Sequence, residues 1–306
     1  MRWGVLGSGG IAPTHLISLR RAGVEVVGVA DVDPAARDRV AREFGVATYE
    51  SIQTLLDRAQ PEAVTIALPA PLHLPAARLA ADRGVHVLCE KPLATSAAEC
   101  DEMLEACRAA GVRLGAILNN RGYAQTRWIK ATIDEGRWTP RLVAVRATLP
   151  RFSAPVGAMV FGVAIHYLDQ MRWWLGPPRE VSALLLDGIA LGSVRFDSAA
   201  GDLRLAGIGR TGAGVKVDVE GDQGRLTLGR YGIESFEGDF GPYPEQEPEV
   251  EGMLFGPGHL TVIREAVDAL RERRPFPVPG EVGREAVAFC EAVVRAGESH
   301  RWERVA

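Results

Sequence analysis

Five short runs of Val, Ile and Leu occupy the first 118 residues, and helical spacing fills the gaps between them. RWGVL, EVVGVA, AVTIAL, VHVLC and VRLGAIL read as strands buried on both faces. IAPTHLISLRRAG, DPAARDRVAREFG, SIQTLLDRA, PAARLAADRG and SAAECDEMLEACRAAG read as the intervening helices. Strand, helix, strand at this spacing demands right-handed crossovers, hence an α/β fold with a doubly wound parallel sheet. The punctuation agrees. Asp33 is placed to cap a helix with Pro34 in its first position. Ser96 and Glu99 form an S-x-x-E capping box, and Gly111 stops that helix.

The character changes after Asn119. A helix over about 123–135 precedes an alternating strand, LVAVRATL, and a helical pattern then runs to Leu175, where Gly176-Pro177-Pro178 ends it. VSALLLD, DLRLAGIG, VKVDVEG and GRLTLG alternate as strands of an antiparallel sheet with one wet face. An acidic, Pro-rich loop over 237–251 leads to two amphipathic helices, 259–273 and 281–296. A chain of 306 residues suits two domains, divided as 1–119 and 120–306, with the last helix free to pack back on the first.

The net charge of −4 gives no electrostatic reason for a nucleic-acid partner, and no apolar run is long enough to span a bilayer. Met1 passes straight into a strand-like segment without a signal-peptide pattern, so a cytoplasmic protein with a small-molecule substrate is expected. Cys89, Cys100, Cys107 and Cys290 form no CxxC pair and read as reduced structural thiols; no metal site is expected.

The first strand runs into Gly7-Ser8-Gly9-Gly10-Ile11-Ala12, a G-x-G-x-x-A match opening a helix. Gly7 allows the tight turn, Gly9 lets backbone approach a pyrophosphate, and Ala12 permits close helix–sheet packing. The helix N-terminus presents its amides to the anion. Asp31, ending the second strand, is positioned to accept the ribose hydroxyls of an adenosine and to repel a 2′-phosphate. No arginine immediately follows it, so NAD is expected rather than NADP.

Glu90-Lys91-Pro92 follows the VHVLC strand, at the carboxyl end of the sheet where open α/β proteins bind ligands. Only three lysines, Lys91, Lys130 and Lys216, stand against thirty-two arginines. An arginine there cannot exchange a proton; a lysine can if its pKa falls from about 10.4 toward 7 or 8. Burial and a positively charged oxidised nicotinamide both push that way.

GSGGIA, VADVDP, HVLCEKPLA and the later HYLD together resemble the glucose–fructose oxidoreductase / inositol dehydrogenase / MocA (Gfo/Idh/MocA) family, with similarity extending through VEGDQGRLTL and the terminal helices. The resemblance implies a Rossmann domain and a C-terminal α/β domain whose open, mainly antiparallel sheet mediates homo-dimers or tetramers. It implies hydride transfer between a nicotinamide and a hydroxyl or carbonyl carbon of a sugar-like or polyol substrate. Lys91 is then the catalytic lysine, on a cis Lys91–Pro92 bond. Leu68, Pro69, His73, Glu90 and Lys91 itself join the cofactor loops, and Arg121, Tyr123, Gly162 and His166 line the substrate space.

The stretch GAMVFGVAIHYLD carries the candidate second proton carrier, His166. On an apolar helix face alone a histidine is more often structural; the resemblance makes it the partner of Lys91 in proton transfer. Asp169, three residues on, can reach the ring or pair elsewhere. The family usually carries D-x-G-x-H here, and this chain has Gly162 at the aspartate and Ala164 at the glycine. That departure favours a second reading, a cofactor-binding sensor without turnover. Leu68 and Ala70 also stand where polar residues are common. His259, at the start of a helix, and the Trp173–Trp174 pair are expected to be structural.

Overall fold

The computed structural model describes residues 1–150, 156–209, 214–229, 232–238, 242–245, 248, 250–253 and 256–305. Of the acidic loop, residues 239–241, 246, 247 and 249 lie outside the described residues. The chain forms two compact units: Met1–Gly122 with Glu249–Glu285, and Tyr123–Pro248 with Ala286–Ala306.

In the first unit six parallel strands stand in the order β3-β2-β1-β4-β5-β6. They are β1 (Arg2–Leu6), β2 (Glu25–Ala30), β3 (Thr48–Tyr49), β4 (Ala63–Ile66), β5 (His86–Cys89) and β6 (Leu114–Ala116). Helices α1 (Ala12–Arg21), α2 (Pro34–Phe44), α3 (Ile52–Ala59), α4 (His73–Ala81) and α5 (Ala97–Ala109) alternate with them. This is the doubly wound order, with its switch point between β1 and β4. The central strands are apolar on both faces because helices cover both. Trp3, fully buried in β1, satisfies its indole N–H by donating to Thr65 Oγ1 at 2.9 Å. Asp33 caps α2 through the Ala35 amide, and Ser96 caps α5 through the Glu99 amide. Glu99 reaches back to the Thr95 amide at 2.9 Å, completing the box one residue early.

The sequence reading divided the chain at 119 and left the last helix free to pack back; the compact units group Glu249–Glu285 with the first 122 residues. The reason is the helix Pro257–Arg271, whose Ile263, Ala266, Val267 and Leu270 form one apolar stripe. That stripe shares a core with Trp3, Val5, Leu16 and Leu19 of β1 and α1. A late segment thus completes the first unit's packing. Two neighbouring glycines allow a close approach there: a Cβ on Gly122 would sit 2.1 Å from the Gly258 carbonyl oxygen.

The second unit holds α6 (Ala124–Asp134), β7 (Pro140–Pro150), α7 (Ile165–Leu175), β8 (Glu180–Leu186), β9 (Ile189–Arg195), β10 (Ala200–Gly209), β11 (Gly214–Gly221), β12 (Gly224–Leu228), β13 (Ile233–Gly238) and β14 (Glu303–Arg304). Its eight strands order as β13-β12-β11-β7-β10-β9-β8-β14, parallel between β7 and β10 and otherwise antiparallel. In β9 buried and exposed residues alternate strictly from Ala190 to Arg195, giving the expected wet face. Gly176, at φ +87°, ends α7 where the sequence placed the stop.

Candidate active site

The glycine loop follows β1 directly and is tied to the sheet by Gly7 N–H donating to the Ala30 carbonyl at 2.8 Å. Gly7 has φ +106°, and a Cβ there would lie 2.4 Å from the Ala67 carbonyl oxygen, so the turn itself requires glycine. Gly9 and Gly10 differ: a Cβ at either would meet nothing of the chain within 4 Å. Both are exposed, and the space over them is open. Ile11, at the N-cap position of α1, offers no capping side chain. Open room above two glycines, at a helix start without a side-chain cap, fits a pyrophosphate.

Asp31 stands beside this loop. Its Oδ2 accepts from the Ser8 amide at 2.7 Å and the Ser8 hydroxyl at 2.8 Å, and its Oδ1 accepts from the Asp33 amide at 2.9 Å. Burial works to raise the carboxyl pKa, but the amides of Asp33 and Ser8 and the Ser8 hydroxyl together hold it below the ordinary value. Sequence reasoning missed two cations here. Arg37 donates to the Asp31 carbonyl at 2.7 Å and Arg39 to the Ser8 carbonyl at 2.6 Å. Neither follows Asp31 immediately; the turn from β2 into α2 folds them back.

After β4, Leu68 is half-buried and Pro69 exposed. His73 is 1 % exposed, and its ring lies between two loops. Nε2 is 2.7 Å from the Leu68 carbonyl oxygen, while Nδ1 is 3.0 Å from that of Pro92 and 3.2 Å from that of Leu93. His73 therefore joins the loop after β4 to the loop after β5.

That second loop opens with Glu90, whose amide donates to the Ile66 carbonyl at 2.9 Å. Glu90 is buried, with its carboxylate against two imidazoles. His259 Nε2 lies 3.2 Å from Oε1, and His15 Nε2 approaches the same oxygen at 3.0 Å but poorly aligned for a hydrogen bond. Burial pushes the Glu90 carboxyl up, yet the two imidazoles outweigh it and hold the group well below the usual carboxylate range. The other oxygen accepts from the Lys91 amide at 3.1 Å. Lys91 is half-buried, and Lys91–Pro92 is cis. His259, expected to be structural, reaches this loop because its helix packs against α1; no spacing along the chain signals that.

Arg121 is 9 % exposed, in the tight turn Asn119–Gly122 that ends this part of the first unit. Tyr123 opens the second unit; it is 8 % exposed and precedes α6, with its carbonyl accepting from the Thr126 hydroxyl at 2.8 Å. Gly162 sits within the wide helical turn Val160–Ala164, where the Ile165 amide bonds back to the Val160 carbonyl. A Cβ at Gly162 would meet nothing within 4 Å. His166 is the second residue of α7 and half-buried; Asp169, on the next turn, is 1 % exposed. Trp174 is core, donating to the Thr126 carbonyl at 3.3 Å. All four cysteines are buried. Among the described residues no group of three or more His, Cys, Asp or Glu is placed to hold a metal ion, and no helix is long and apolar enough to cross a membrane.

Residues 1–117 match the family described as "Oxidoreductase family, NAD-binding Rossmann fold", and 151–305 match its C-terminal alpha/beta domain. The chain is 29 % identical to the D-xylose 1-dehydrogenase (NADP(+)) 2 of Haloferax volcanii, over 99 % of this chain and 92 % of that protein. It is 29 % identical to the inositol 2-dehydrogenase of Streptomyces avermitilis, over 96 % and 91 %. Among solved structures, the WlbA dehydrogenase of Bordetella pertussis in complex with NADH and UDP-GlcNAcA superposes at TM-score 0.86 with 23 % identity, over 100 % of this chain and 99 % of that one. At that identity the likeness carries the fold alone. With both halves matched, the chain belongs to the Gfo/Idh/MocA family of NAD(P)-dependent oxidoreductases.

Proposed function

We propose that this enzyme is a dehydrogenase that prefers NAD and oxidises or reduces one CH–OH carbon of a small polyol or sugar-like substrate. The observation that carries it is Lys91. It sits two residues after β5, at the same carboxyl-terminal end of the sheet as the glycine loop and Asp31, on a loop secured by Glu90 and His73. Relatives named for D-xylose and inositol support the substrate class.

Gly9, Gly10 and the start of α1 would hold the pyrophosphate, and Asp31 the adenosine ribose; Leu68, Pro69 and His73 would shape the wall beside it. When bound, the dinucleotide supplies the hydride acceptor or donor. Lys91 as a neutral amine takes the proton of the substrate hydroxyl, or as an ammonium returns it. His166 relays that proton, its imidazole suited to neutral pH. Arg121 and Tyr123 orient the substrate. The Asp31 carboxylate, kept ionised, repels a 2′-phosphate and favours NAD over NADP.

The exposed leucines Leu184, Leu186 and Leu191 on β8 and β9 support assembly as a homo-dimer or tetramer through this sheet. Four buried cysteines fit a reducing cytoplasm. The decisive experiment is a panel of polyols, sugars and keto compounds with NAD and NADP, read at the reduced-nicotinamide band. Lys91→Ala is expected to abolish turnover on the best substrate while leaving NAD affinity near that of the parent. Full activity in Lys91→Ala would remove the lysine from the mechanism.

A further inference from the structure

Glu90 poses a problem of energetics. It is 6 % exposed, and a buried carboxylate costs several kcal/mol unless charge or hydrogen bonds compensate it. An apolar side chain of similar size would often be neutral or stabilising at such a position. The chain nevertheless gathers polar groups around this carboxylate from two distant stretches. His15, the fourth residue of α1, lies next to the glycine loop and is fully buried. His259 comes from the helix Pro257–Arg271 and is 3 % exposed. The two rings meet edge to face, with centroids 6.0 Å apart and planes at 87°.

The proton inventory is determined by this geometry. A carboxylate oxygen can only accept, so the imidazole that bonds it must present N–H. His259 therefore donates Nε2–H to Glu90 Oε1. Its own pKa is lowered, first by burial, with the charges of His15 and Lys91 adding and Glu90 opposing. A neutral His259 and an anionic Glu90 are thus the resting pair. The Lys91 ammonium is close enough to act on the His259 ring. Among the described residues, the titratable groups beside the carboxylate come from separate elements: His15 from α1, His259 from the late helix and Cys89 from β5. The Cys89 thiol is pushed up by burial and by the Glu90 charge, and so stays neutral.

The remaining oxygen of Glu90 turns to the backbone amide of Lys91. We propose that Glu90 and His259 are positioning residues for Lys91: the imidazole holds the carboxylate, the carboxylate holds the lysine's backbone, and its fixed negative charge sets the pH at which the lysine gives up its proton. This inference rests on the reading of Lys91 as the proton-exchanging residue. Burial and an oxidised nicotinamide both favour the neutral amine, and the Glu90 anion opposes them. The balance keeps the lysine from discharging before a cofactor arrives. His259 lies 169 residues from Glu90, so the late helix that completes the first unit's core also conditions its chemistry.

Three lysines make a direct test feasible. The full-length protein without cofactor is pulse-labelled with acetic anhydride across a pH series, and the acetylation of Lys91, Lys130 and Lys216 is followed by peptide mass spectrometry. In Glu90→Gln the midpoint for Lys91 is expected to fall by roughly one pH unit, the size of one lost neighbouring charge, with Lys130 and Lys216 unchanged. His259→Leu is expected to move it the same way, and His259→Gln, which keeps an N–H donor, to restore it. The same order is expected in kcat, with the Kd for NAD within about threefold of the parent. An unmoved Lys91 midpoint in both Glu90→Gln and His259→Leu overturns the proposal, even if both variants lose thermal stability. If those variants do not fold, the 15N shifts of His259 in the parent decide: an Nε2–H tautomer supports the clamp and an Nδ1–H tautomer overturns it. Full turnover in Lys91→Ala, by contrast, sinks the proposed function whatever the labelling shows.

Discussion

Ser8 grips Asp31 twice, with its amide at 2.7 Å and its hydroxyl at 2.8 Å from the same carboxylate oxygen. The bonds tie the middle of the phosphate loop to the end of β2. They also leave the carboxylate ionised near neutral pH, the state in which it would repel a 2′-phosphate. Arg37 and Arg39 stand on the same corner, each spending one donor on a backbone carbonyl. Asp31→Asn should therefore relax cofactor choice strongly, because the repulsion disappears while two guanidiniums remain. The ratio of kcat/KM for NADP to that for NAD is expected to rise on the order of tenfold or more, since like-charge juxtaposition costs several kcal/mol. An unchanged ratio would assign the preference elsewhere.

The loop glycines separate into two kinds. Gly7→Ala forces a Cβ against the Ala67 carbonyl at a positive φ, so it should lower Tm by several degrees. Gly9→Ala meets nothing of the chain and should melt close to the parent. Its effect should appear instead in NAD affinity, with Kd raised about tenfold, one lost pyrophosphate contact being worth about 1.4 kcal/mol. Thermal melts with and without NAD distinguish the two substitutions.

Gly162→Asp should fold normally, because a Cβ there is unobstructed and the backbone needs no glycine. If the missing family carboxylate limits turnover, kcat on polyols rises by about tenfold or more, well within the roughly 10⁴ that an orienting carboxylate is worth in a known triad. A folded variant with unchanged kcat would mean that the chemistry here is complete without that acid.

Acid should weaken the first unit in two stages. The native pKa of His259 is lowered, by burial first, so below its unfolded value of 6.5 the unfolded chain binds the proton that the native state refuses. Stability is therefore full above 6.5 and declines as pH falls through the native pKa. His86, lowered by burial and the Arg113 charge, acts with the same sign. Glu90 and Asp31, both lowered, add their losses below the ordinary carboxylate values of 4.5 and 3.8. Tm measured from pH 8 to 2.5 should fall continuously below 6.5. In Glu90→Gln the decline below 4.5 should be shallower; an identical slope there would separate the carboxylate from acid stability.

Much of this was legible along the chain because the relevant physics is local. Double-sided apolar runs announced β1, β2, β4, β5 and β6, and caps such as Asp33 and Ser96 announced helix starts. The glycine loop between β1 and α1, and Asp31 at the end of β2, were placeable for the same reason, since each belongs to a single strand-to-helix turn. β3, two residues long, was not, because no period can be counted over two positions. The order of the sheet, the return of the late helix to the core of α1 and β1, the approach of Arg37 and Arg39 to Asp31, and the meeting of His15, Glu90 and His259 all required the folded chain. These relationships depend on distance in space between residues far apart in order, and a sequence pattern records only order.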